Sequence, residues 1–119
     1  MKHTISPEDF FKASIVYLIL SGRVEDALDK LSNYYRVEKP KLVIKRVKGH
    51  CKAPALYSLK KKTIYIQNGE YYMNPFVILH EFYHHLRNFG GKHRGTEKNA
   101  NEFAKSYINA YKKLISYRK

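Results

Sequence analysis

At 119 residues the chain holds one domain with a modest core and leaves nothing for a second to bury. With 44% hydrophobic and 28% charged residues it has the balance of a globular fold, and its single cysteine, Cys51, excludes an internal disulfide scaffold and points to a reducing cytoplasm. The formal net charge of +13 implies either an acidic partner or a solvated, lysine-rich surface; no nucleic-acid fold signature accompanies it, so the solvated surface is favoured.

Ser6-Pro7-Glu8 reads as a helix start, with Ser6 as N-cap, Pro7 in the first turn and Glu8 and Asp9 near the positive end of the dipole. Phe10, Phe11, Ile15, Tyr17, Leu18 and Ile19 follow, and Ser21-Gly22 stops the helix. Its apolar run from Ile15 to Leu20 is too short for a secretory signal or a membrane span. A second helix runs from about Arg23 to Tyr35, with Val24, Ala27, Leu28, Leu31 and Tyr34 on one stripe, and Pro40 bars its continuation.

The period then changes. Lys41 to Val47 alternates loosely as a strand, and Ala55 to Leu59 and Thr63 to Gln67 form two more, joined at Lys60, Lys61 and Lys62. Cys51 falls at a strand start and reads as a small, partly buried residue rather than a metal ligand. Asn68-Gly69 is a turn. Asn74-Pro75 opens a helix carrying Phe76, Val77, Ile78, Leu79, Phe82, Tyr83 and Leu86, apolar around most of its circumference and so expected at the centre of the domain. Gly90-Gly91 ends it. Thr96 starts a last helix carrying Phe103, Ala104, Tyr107, Ile108, Tyr111 and Leu114. Two N-terminal helices, a small three-stranded sheet, a buried helix and a C-terminal helix make an α+β domain spanning residues 1–119.

The chemistry lies in His80-Glu81-Phe82-Tyr83-His84, an HExxH pattern. Residues four apart share a helix face, so two imidazoles converge on one ion, and zinc suits two neutral imidazoles with an open position for water. Glu81 stands beside them as the base for that water. The apolar flanks place these polar groups on a buried helix, where ionisable side chains need compensation that a metal supplies. Two residues compete as third ligand. His93 follows a Gly90-Gly91 turn able to reverse the chain, and Glu97 opens the last helix, with Asn101 one turn on to steady a ligand histidine.

These residues, with Phe103 and Ala104, resemble the gluzincin metallopeptidases. The small size and the segment His93 to Glu97 resemble the minigluzincins in particular, over about Ala55 to Ser106. The resemblance implies a zinc-dependent endopeptidase, with Glu81 as base and acid. It favours His93 over Glu97 as third ligand. Asn101 stands where gluzincins usually have aspartate. It also implies latency imposed by a C-terminal segment, here Lys112 to Lys119. The substrate is then a peptide or protein, laid as an added strand along a sheet edge, with Thr63 to Gln67 as the expected edge. Tyr107, Tyr111, Arg94 and His85 are candidates to stabilise the oxyanion, and for both tyrosines core packing on the last helix is the preferred reading. A homodimer is compatible with the sequence. A zinc-stabilised basic module acting on nucleic acid or its bound proteins is the alternative function.

Overall fold

The computed structural model describes residues 5–46, 49, 53–88 and 97–116. Helix α1 spans Pro7–Leu20 and begins where Ser6, in extended conformation, accepts the Asp9 amide on its Oγ at 3.1 Å. Ser21 closes it, and Gly22 supplies a φ of +81° for the reversal into the next helix. Helix α2 spans Val24–Tyr35. It ends five residues before Pro40, because Arg36 takes the left-handed conformation (φ 58°) and its amide closes back on Asn33.

Strands β1 (Lys41–Ile44), β2 (Ala55–Ser58) and β3 (Thr63–Ile66) form one mixed sheet. Each is shorter than the alternation suggests. The spatial order is β1-β3-β2, with β1 parallel and β2 antiparallel to β3. This corrects the expected edge. β3 is the central strand, and its Thr63, Ile64 and Ile66 are buried, while β1 and β2 carry the open edges. A strand bonded on both sides has no backbone groups left for a substrate. The strand that leads toward the HExxH helix is therefore not the outermost one. The β1–β3 pairing, made across more than twenty residues of chain, displaces it.

A 3-10 turn, Gly69–Tyr71, capped by Asn68, leads to helix α3 (Pro75–Asn88), whose first turn is held by Asn74 Oδ1 accepting the Val77 amide at 3.3 Å. Helix α4 spans Glu97–Ser116. α4 packs on both α1 and α3, and α3 packs on β2, so α3 lies between α4 and the sheet. One core unites the elements: Ile15, Ile19, Leu28, Leu31, Ile64, Ile66, Ile78, Leu79, Phe82 and Tyr107 are all fully buried. The architecture is α+β, as expected. No helix among the described residues is long and apolar enough to cross a membrane.

Candidate metal centre

Helix α3 buries Ile78, Leu79, Phe82 and His85 against the core. The helical repeat then turns His80 and His84 together toward the start of α4, with only 13% and 17% of their side chains exposed. Glu97, the first residue of α4, reaches both. Its Oε1 lies 2.8 Å from His80 Nε2, and its Oε2 lies 2.9 Å from His84 Nε2. One ligand atom from each of the three residues falls within 4.8 Å of the others, and no other such group forms among the described residues.

One turn further along α4, Asn101 Oδ1 sits 2.9 Å from His80 Nδ1. An amide oxygen only accepts, so His80 carries a proton on Nδ1 and, when neutral, a lone pair on Nε2. That lone pair faces a carboxylate oxygen at 2.8 Å. A shared proton satisfies this contact, and a metal ion held between the two groups does so equally. The donor set of two imidazoles and a carboxylate, with one imidazole oriented by an amide, fits a zinc-type ion.

Glu81 is on the inner side of the same helix, 9% exposed. Burial pushes its carboxyl up from 4.5 to about 7, with the nearby Glu97 charge adding to the rise; His80 and the backbone amide of Tyr57 pull the other way. The Tyr57 bond ties the carboxylate to β2. Pro54 accepts from Gln67, so alternation along β2 directs the Tyr57 amide away from β3, toward the open edge. Glu81 therefore occupies a donor of the edge strand that borders the site.

His85 departs from its expected role. It is fully buried, with Nε2 donating to the Glu38 carbonyl at 2.6 Å and Nδ1 bonded to the Tyr57 hydroxyl at 2.7 Å. Desolvation lowers its pKa. Both nitrogens are engaged in the core, so it has no donor for an oxyanion. Tyr107 is likewise fully buried, with its hydroxyl 2.6 Å from that of Tyr35 and its pKa driven well above the usual range by burial. Tyr111 lines a groove with Phe10 and Tyr17, on the half of α4 remote from Glu97. For both tyrosines the core reading holds. His93, Arg94 and Cys51 lie outside the described residues.

Of the expected tail, residues 112–116 continue α4 and residues 117–119 lie outside the description. Lys113 pairs with Asp9 of α1 at 3.3 Å. It stands roughly 24 Å along the helix from Glu97 at 1.5 Å per residue. Residues 112–116 therefore do not cover the histidines. Tyr57 has no motif that marks it in the sequence. It contributes an amide to Glu81 and a hydroxyl to His85, and its only signal is its place in an alternating strand. Comparison with protein-family models, with curated proteins and with solved structures finds no match to this chain.

Proposed function

We propose that this protein is a zinc-dependent endopeptidase of the minigluzincin type. The observation that carries the reading is the convergence of His80, His84 and Glu97 within 4.8 Å, on the helix that also holds a buried glutamate next to the first histidine. Glu97 takes the third ligand position in this reading, since both of its oxygens already face the two imidazoles. A zinc ion, when bound there, acidifies a water and polarises a substrate carbonyl.

The chain's own residues supply the rest. Asn101 holds His80 in one tautomer and one orientation. Glu81, with its carboxyl raised to about 7, accepts a proton from the attacking water near neutral pH and returns it to the departing amine nitrogen. The Tyr57 amide keeps that carboxylate on the site side of β2. The substrate backbone adds to the outer edge of β2 beside the Tyr57 amide that Glu81 already holds.

The test compares the zinc-loaded chain with Glu81→Gln, using an unstructured protein substrate and a parallel zinc titration. The variant is expected to keep zinc and to lose cleavage by roughly 10²–10⁴-fold. Undiminished cleavage by the variant removes Glu81 from the mechanism. Failure of the wild-type chain to take up zinc removes the whole reading. Glu97→Ala and His93→Ala, titrated in the same way, decide the third ligand: only the first is expected to weaken zinc binding.

A further inference from the structure

The sheet is where the positive charge collects. From Lys39 to Gly69 the chain has nine lysines or arginines and no aspartate or glutamate. Lys39 is neutralised by Glu25 and Asp29, at 2.8 and 3.1 Å, and Lys62 by Glu38 at 3.1 Å. Lys41, Lys45 and Arg46 are exposed and have no ion pair among the described residues.

These three residues belong to β1 and its continuation, and β1 is an edge. The Lys41 amide and that of Lys45, just past β1, donate inward, to the carbonyls of Lys62, just before β3, and of Ile66 at 3.0 and 2.7 Å. Alternation then directs the amides and carbonyls of Leu42 and Ile44 outward, and among the described residues no strand pairs with that side. The edge is also apolar. Val43 is 38% and Ile44 52% exposed, and a groove lined by Glu25, Lys39, Pro40, Lys41, Leu42 and Val43 runs beside it.

We propose that the open edge of β1 is a docking site for an extended acidic peptide, bound by strand addition. The edge supplies backbone pairing through Leu42 and Ile44 and apolar contact through Val43. Lys41 and Lys45 flank Val43 on one face of the strand, two residues to either side. The partner strand that fits this face has the pattern acidic, any, apolar, any, acidic. Symmetric pairing of two β1 edges is disfavoured, because it would set Lys41 and Lys45 of one copy against the same lysines of the other, whereas an acidic strand complements them. The site is separate from the His80 centre: β1 and β2 lie on opposite sides of β3, about 10 Å apart at two inter-strand spacings.

The experiment measures fluorescence anisotropy of the full chain with a labelled TETVTET peptide at low salt. A TKTVTKT peptide, a backbone N-methylated TETVTET and a single-stranded oligothymidine serve as comparisons. The acidic peptide is expected to bind at least tenfold more tightly than the lysine peptide, and the double charge reversal Lys41→Glu, Lys45→Glu is expected to invert that preference. Both lysines are exposed, so the reversal leaves the core intact. Slowed amide exchange at Leu42 and Ile44 in the presence of the acidic peptide is the second expected result, read without any variant. Equal binding of both charged peptides overturns the proposal, as does unimpaired binding of the N-methylated peptide. Binding of the oligonucleotide alone, lost on charge reversal, overturns it in favour of nucleic acid.

Discussion

At the residue scale, helix α3 places two ionisable groups of opposite behaviour in its buried half. Glu81 is an acid whose folded-state pKa is raised from 4.5 to about 7, so ionising it costs the folded protein stability that the unfolded chain does not lose. The loss grows as pH rises from about 4.5 and is complete above about 7. His85 is a base whose folded-state pKa is lowered, so stability is lost as pH falls below about 6.5, where the unfolded chain takes up a proton first. In the metal-free protein the two effects oppose each other between roughly pH 4.5 and 6.5. We expect Glu81→Gln to raise the unfolding free energy by about 1–3 kcal/mol at pH 8 and to leave it nearly unchanged at pH 4. The same variant unmasks the His85 contribution, seen as a steeper fall in stability below pH 6.5. Urea titrations in the presence of a chelator, repeated across pH, read both effects. A third residue-scale expectation concerns Asn101. Asn101→Ala frees the His80 ring and lowers zinc affinity by roughly tenfold, whereas Asn101→Asp preserves or raises it. Competition with a chromogenic chelator measures the difference.

At the scale of elements, the link between β2 and α3 is polar as well as apolar. The Tyr57 hydroxyl bonds His85, His85 in turn donates to the Glu38 carbonyl ahead of β1, and the Tyr57 amide serves Glu81. One tyrosine therefore joins the edge strand to the base and to the loop behind it. Tyr57→Phe leaves the His85 Nδ1 acceptor buried without that hydroxyl, and is expected to cost about 1–3 kcal/mol while the amide bond to Glu81 persists. Equilibrium unfolding gives the first quantity, and under the proposed function retained cleavage by the zinc-loaded variant reports the second. This connection also qualifies the inference drawn from α3 as a sequence. Its apolar flanks suggested that buried histidines require a metal. His85 is the most buried histidine of the helix and is satisfied by protein partners alone. The stronger argument for a metal is local: His80, His84 and Glu97 each bring one ligand atom within 4.8 Å of the others.

For the whole molecule, charge is distributed unevenly. Residues 7–36, which hold α1 and α2, carry five acids and four bases, whereas residues 39–69, which hold the sheet and its turns, carry nine bases and no acid. Repulsion within the sheet opposes folding and is screened by salt. We therefore expect the Tm at pH 7 to rise by several degrees between roughly 20 and 200 mM sodium chloride. The rise should shrink in the Lys41→Glu, Lys45→Glu variant, as thermal scans at matched protein concentration would show.

What the sequence determined by itself is what depends on neighbours a few residues apart. The Ser6 cap, the Gly22 reversal, the Asn74-Pro75 start of α3 and the sharing of one helix face by His80 and His84 all follow from local dihedral preferences and from the 3.6-residue repeat. The α+β order followed from the same periodicities. Only the tertiary structure decided matters that depend on pairing across long stretches of chain. It put β3, rather than β1 or β2, at the centre of the sheet, and it sent His85 into the core while His84 beside it faces the site. It also brought the first turn of α4 back over α3, so that Glu97 meets both imidazoles and Asn101 meets one. Strand order and helix docking are set by which apolar faces bury one another, and a local pattern of residues identifies those faces without specifying their partners.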